Sequence, residues 1–247
     1  LSLELHKGEF LALLGGYGMG NQEGINYAVS CLEADYVIIA NPDIHVTPRC
    51  IRRVKDALDK TQGAVAASAR VKDPMGGELF SYWTLLPLWK DLLDTGLVTR
   101  RLFKAMLNTP SYRLAYAGDE DCRLVDAVPG SFFMLKTGIL TPGEIKEVFD
   151  KHIFLYYEEK VLGQKFRKMG LKTVLVTDES YVHAHSVSID KSFKRIVDKQ
   201  RLLHRSKLYY YKEYLGTGPA GMAAARAVLG LVLAEVWFLT VVCRMRW

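Results

Sequence analysis

The sequence predicts an α/β domain on an open, mostly parallel sheet flanked by helices, and three observations carry that expectation. "DYVIIANPD" and "GAVAASARV" are continuous apolar runs ended by turn residues, as in strands covered on both faces. Between them "TPRCIRRVKDALDK" starts like a helix, with Thr47 as N-cap and Pro48 at the first helical position. Strand, helix and strand recur at a short spacing, which favours crossovers between parallel neighbours.

The remaining elements follow in order. "EFLALLGG" is a short apolar segment running into glycines, and "NQEGINYAVSCLEA" is an amphipathic helix with Ile25, Ala28, Val29 and Leu32 on one face. Residues 73 to 121 form a less regular insert, the kind of loop-rich segment that carries binding surface. "RLVDAVPGSFFMLKTGIL" returns to the sheet and "PGEIKEVF" is a short helix. "IFLYY" is a strand-like approach that delivers the adjacent acids Glu158 and Glu159. Glu158 to Met169 is a helix ended by Gly170, and "LKTVLVTDESYVHAHS" is the last strand. Residues 191 to 214 are a basic, aromatic helix, and "AVLGLVLAEVWFLTVVC" is apolar apart from Glu235. That last run sits at the lower limit for crossing a bilayer, so it is read as a helix lying against a membrane or as a buried core helix.

Apolar residues at 49% with 24% charged exclude a wholly disordered chain. The net charge of +6 fits a phosphate-rich, nucleic-acid or anionic-membrane partner without choosing among them. Cys31, Cys50, Cys122 and Cys243 are scattered without a CxxC pair, which argues against a zinc knuckle and suits a reducing cytosolic setting.

Several groups suggest chemistry. Asp43 in "IIANPD" falls at the carboxyl end of a strand, where ligands bind in open α/β sheets, although Asn-Pro-Asp is also ordinary turn chemistry. "GGYGMGN" fails the dinucleotide spacing but leaves a glycine-lined turn at Gly18 and Gly20. Glu158 and Glu159 suit a helix N-terminus; two neighbouring carboxyls also split their pKa values, so that one acts as a base. His183 and His185 point the same way on a strand and could meet a metal or a phosphate, or simply be hydrogen-bonded at a strand end.

The segments "GGYGMGNQEGIN", "YVIIANPDIHVTP", "VDAVPGSFFMLK", "FLYYEEKVLGQKFRKMGLK" and "YVHAHSVSI" run in this order over roughly residues 13 to 190. In them the chain resembles the glycosyltransferase family 2 enzymes, in particular the rhamnosyl- and galactofuranosyl-like members of bacterial surface polysaccharide synthesis. The resemblance implies a GT-A catalytic domain over residues 1–190 that lacks its first βα units, because the family's opening "VVIVTYN"-type strand would precede Leu1. Residues 191–247 would then be the basic and membrane-associated C-terminal helices. It implies an inverting, metal-dependent glycosyltransferase taking a sugar from a UDP- or dTDP-linked donor to a glycan or lipid-linked acceptor. Glu159 would be the base, in a place where many members carry Asp, with Glu158 beside it. Gly18, Gly20, Asn21, Asn41, Asp43, Gly130 and Ser131 would border the donor. Asp43 and His183 would hold Mg²⁺ or Mn²⁺ on the diphosphate, with His185 a further candidate. The basic segment next to the apolar tail suits anionic lipid headgroups or a lipid-diphosphate acceptor at the cytoplasmic face of the cell membrane, or is a solvated helix face. The rival expectations are an inactive GT-A-like binding or scaffold protein and a nucleic-acid-binding protein; no base-stacking signature supports the latter, and the partner expectation excludes nucleic acid.

Overall fold

A computed structural model describes residues 34–103, 121–141, 143–144, 147–153, 156–184 and 196–243, together with Asn26, Val29 and Leu107. Strand β1 (Tyr36–Ala40) leads through a turn at Pro42 and Asp43 into the short β2 (Ile44–His45). Helix α1 (Pro48–Lys60) begins as its sequence requires: the Thr47 side chain accepts the Cys50 N–H at 3.1 Å, and Pro48 occupies the first turn, where an N–H would have no partner. Its buried stripe of Cys50, Val54, Ala57 and Leu58 recurs at helical spacing, and the chain turns through Gly63 at φ +76° into β3 (Ala64–Lys72).

Two short helices follow, α2 (Leu88–Leu93) and α3 (Leu97–Leu102). The sheet resumes with β4 (Cys122–Val125) and β5 (Phe132–Lys136). Helix α4 (Glu158–Lys168) ends near Gly170, which at φ +71° adopts the left-handed backbone that turns the chain into the long strand β6 (Lys172–His183). Helices α5 (Ile196–Glu213) and α6 (Pro219–Trp237) complete the described chain, α6 running on as a π-helical turn over Phe238–Val242.

The sheet corrects the fold expectation. Its order is β1-β5-β3-β6-β2, with β4 pairing β6 as well. Only β3 and β6 pair in parallel; β1–β5, β2–β6, β3–β5 and β4–β6 are antiparallel. The open, mostly parallel GT-A sheet is therefore replaced by a mixed, mostly antiparallel one. The reason is adjacency. Strands β1 and β3, joined by α1, do run the same way, since both are antiparallel to β5. They are not neighbours, because β5 lies between them.

Helices cover both faces of this sheet. Alternate residues of β5 divide between two cores: Phe132 and Met134 pack with α1, whereas Phe133 and Leu135 pack with Leu162 and Phe166 of α4. Helix α4 comes so close to the β4–β5 connection that a Cβ on Gly163 would lie 2.3 Å from the Asp126 carbonyl oxygen. A third core joins Leu92 of α2, Ile153, Tyr157 and Val161 to Tyr210 and Tyr211 of α5 and to Met222, Ala225 and Leu229 of α6. The C-terminal helices are thus packed on the start of α4.

Candidate functional site

The segment leading into β5 meets the first turn of α4, beside the carboxyl ends of β1 and β6. Just past β1, the Asn41 N–H donates to the Ser131 carbonyl at 2.8 Å, which ties the "NPD" turn to the "PGS" segment before β5. The Ser131 hydroxyl is 2.7 Å from the Tyr181 hydroxyl on β6, and both residues are buried. The Gly130 N–H donates to Glu159 Oε1 at 3.3 Å. A Cβ on Gly130 would sit 3.4 Å from that same oxygen, so glycine allows the close approach.

Asp43 lies one residue before β2, whose Ile44 pairs with His183, and its carbonyl accepts the Ala184 N–H at 3.0 Å. His183 Nε2 stands 3.3 Å from Asp43 Oδ1. The structure therefore brings together Asn41, Asp43, Gly130, Ser131, Glu159 and His183, and adds Tyr181, whose place in "TDESYVH" gave no signal of its own. Gly18, Gly20, Asn21 and His185 lie outside the described residues, as do most of the "NQEGINYAVSCLEA" helix and residues 104–106 and 108–120 of the insert.

The approach to the two acids differs from the expected strand. Among its described residues, Ile153 is irregular and Tyr156 and Tyr157 form a bend with φ of +67° and +73°. Left-handed backbone at bulky residues costs roughly 1–3 kcal/mol each and persists only where packing enforces it. Here the enforcement is visible: the Tyr157 ring is buried edge-on against Tyr210, and its hydroxyl donates to Asp91 Oδ2 at 2.5 Å. Held in this way, the bend starts α4 at Glu158 and sets both glutamates in its first turn.

Burial raises both carboxyls above the usual glutamate range; for Glu158 the charge of Glu159 adds to it. The helix N–H groups, the Gly130 N–H and then the Lys160 ammonium oppose the rise at Glu159 without cancelling it. Against them stands the fixed Gly130 N–H, followed along the chain by the Ser131 hydroxyl and its partner, the Tyr181 hydroxyl. A partly protonated carboxyl pair both donates and accepts hydrogen bonds, so the group is suited to a hydroxyl-bearing, uncharged ligand.

No family model matches the chain, and no curated protein matches it. With the mixed, mostly antiparallel sheet, this overturns the glycosyltransferase family 2 resemblance and the GT-A scaffold alternative with it. The metal-dependent sugar transfer that rested on the resemblance falls for a further reason. Among the described residues no group of three or more His, Cys, Asp or Glu side chains gathers to hold a cation. Asp43 and His183 face one another as a pair, which does not fit the Mg²⁺ or Mn²⁺ centre implied for them.

A second polar cluster escaped the sequence reading. Asp91 on α2 is buried and accepts from Lys160 at 2.6 Å, Lys207 at 3.0 Å, Tyr157 at 2.5 Å and Tyr211 at 2.6 Å. Lys207 belongs to the basic helix expected over residues 191 to 214, yet the fold buries it with His204 and Ser206, and leaves Arg201, Arg205 and Lys212 exposed.

Proposed function

We propose that this protein is a monotopic binding protein of an anionic membrane surface, on the cytoplasmic face where such lipids concentrate. The observation that carries the reading is the 24-residue helical segment Pro219–Val242, which contains an 18-residue stretch of mean hydropathy 1.9 that is only 22% buried. A helix this apolar is stable in a core or in lipid; apart from the exposed Arg226 and from Glu235 its side chains are uncharged, and it has protein on one stripe alone. That stripe, Met222, Ala225, Leu229, Val232 and Val236, runs almost the full length of α6. Its outward side carries Leu231 at 72% exposure and Trp237 at 50%, with Phe238, Val241 and Val242 beyond.

Packing along the whole stripe favours a helix lying in the interface over one crossing the bilayer. Glu235 supports the same orientation. Its carboxylate accepts the Leu97 and Val98 N–H groups at 3.2 and 3.0 Å, capping α3 and pinning it to α6. Helix α3 adds the exposed apolar side chains Val98 and Leu102 and the cations Arg100 and Arg101. Apolar area rimmed by arginine suits an anionic lipid surface.

The sheet-edge group then serves a hydroxyl-bearing ligand of glycan type presented at that surface, held by Glu159, Gly130 and Ser131. Flotation of the full chain with vesicles tests the membrane reading. The protein should float with phosphatidylglycerol vesicles and much less with phosphatidylcholine. The double variant L231E/F238E should lose that binding by more than about 100-fold, since each apolar side chain contributes roughly 1.5–3 kcal/mol on burial. A protein that stays at the bottom of the gradient with every vesicle would refute it.

A further inference from the structure

Beside the buried Asp91 cluster, and on the other side of α4's first turn from Gly130, lies a cavity of about 390 Å³. Its apolar walls include Phe80, Trp83 and Leu203, and it reaches Leu97 at the start of α3 and Val236 on α6. Lys160 and Lys207 both line it, at 8% and 5% exposure. We propose that this cavity is a binding site for a phosphate monoester carried on an apolar body, with Lys160 as the anion's ligand and Lys207, whose N–H groups are taken by the Asp91 carboxylate, the Asp91 carbonyl and the Thr95 hydroxyl, as the second positive charge beside it.

The argument is one of charge. Asp91, 1% exposed, is the carboxylate that both ammonium groups share. Its oxygens are already occupied by four donors, two of them phenols whose acidity is suppressed by burial. The cluster thus holds two positive charges against one negative in a desolvated place, an imbalance that a bound anion removes. The other acids nearby are otherwise engaged. Asp94 at the cavity rim pairs with Arg100 at 3.2 Å, and the Glu159 carboxyl is turned to the Gly130 N–H with its ionisation suppressed by burial.

Donors also remain. Lys160 gives hydrogen bonds to Asp91 and to the Tyr157 hydroxyl, which leaves one of its three N–H groups to the cavity it lines. Burial first of all lowers Lys207, to about 8, as expected of an ammonium with half a counter-charge. The apolar walls and the contact with α3 and α6 set the rest of the ligand: a phosphate alone would leave most of the cavity without a matching surface.

Isothermal titration with soluble short-chain lipids tests this without any membrane, so its outcome is separable from vesicle flotation. Dioctanoyl phosphatidic acid should bind, and uncharged dioctanoylglycerol should bind at least about tenfold more weakly, the scale of one or two charge-assisted hydrogen bonds. Inorganic phosphate and phenyl phosphate form the second arm. Competition by phenyl phosphate at matching affinity would assign the site to soluble phosphate esters, whereas preference for phosphatidic acid assigns it to lipid headgroups. K160M, which removes the free N–H and a charge, should weaken phosphatidic acid by about tenfold or more, and K207M should weaken it through the lost charge alone. K207M leaves a balanced Asp91–Lys160 pair, so its melting temperature should be kept or raised, which separates loss of binding from loss of fold. Equal binding of phosphatidic acid and dioctanoylglycerol, or undiminished binding by both variants, would overturn the proposal.

Discussion

Replacing Asp91 by asparagine removes the only full negative charge that Lys160 and Lys207 contact directly among the described residues. The substitution changes almost no volume, so its cost is electrostatic. The carboxylate accepts two ammonium and two phenol hydrogen bonds. An asparagine amide keeps one acceptor and aims an NH₂ group at donors. Breaking a buried ion pair by removing one partner costs about 3–5 kcal/mol, and the paired lysines place D91N at the upper end. For a chain of this size each kcal/mol corresponds to about 2–4 °C, so the melting temperature should fall by roughly 6–20 °C.

The pH dependence has a definite sign. Lys207 is lowered on folding to about 8, so between that value and its unfolded value the unfolded chain binds more protons and wild-type stability rises with pH. Without Asp91 the ammonium loses its counter-charge, and the rise should begin at lower pH. Asp91 itself is held well below the usual carboxylate range, with the Lys207 and Lys160 charges outweighing burial; its contribution is present above its unfolded value and lost as pH falls through that value toward the folded one. Urea denaturation of D91N and wild type from pH 2 to pH 10 measures both effects. A stability loss under about 1 kcal/mol, with parallel pH profiles, would refute the electrostatic account of this cluster.

Three further outcomes are expected. G163A should destabilise by about 1–3 kcal/mol in spite of alanine's helix propensity, because its methyl would meet the Asp126 carbonyl; an unchanged urea midpoint would contradict that close approach. The raised carboxyls of Glu158 and Glu159 cost stability as pH climbs from their unfolded value through their folded ones, so E158Q/E159Q should gain on wild type at alkaline pH and not at pH 4. E235A should cost about 0.5–2 kcal/mol by uncapping α3, read as faster amide hydrogen exchange at Leu97 and Val98.

Local structure was legible wherever a short stretch determines it. Thr47-Pro48 marks the start of α1, Gly170 marks the end of α4, and the apolar runs mark β1, β3, β5 and β6. Strand neighbours were not legible. Helices cover both faces of β5, so "FFML" carries no polar alternation, and an antiparallel strand buried in this way has the same pattern as a parallel one. The insertion of β5 beside β3 is held by contacts distant in sequence, such as the Ser68 hydroxyl on the Phe132 carbonyl at 2.6 Å. The same limit hid the Asp91 cluster. Lys207 in "SKLYYYK" has the pattern of a solvated helix face, and nothing nearby announces that an aspartate 116 residues away will bury it.

The two sites share one turn of helix. Tyr157 and Lys160, three residues apart, fall on the same side of α4's start and face Asp91, while Glu159 is turned to Gly130. The Lys160 ammonium is one of the influences that hold down the pKa of Glu159. An anion bound at Lys160 offsets that charge, so filling the cavity should raise the Glu159 value further and bring the carboxyl pair closer to full protonation. Coupling is reciprocal, so protonation of Glu159 should in turn favour the anion. Infrared difference spectra of the glutamate carboxyl band against pH, with and without dioctanoyl phosphatidic acid, would register the shift. E159Q, whose band change identifies the residue, should show neither the titration nor its displacement. An unmoved midpoint at saturating ligand would mean that the two sites act independently.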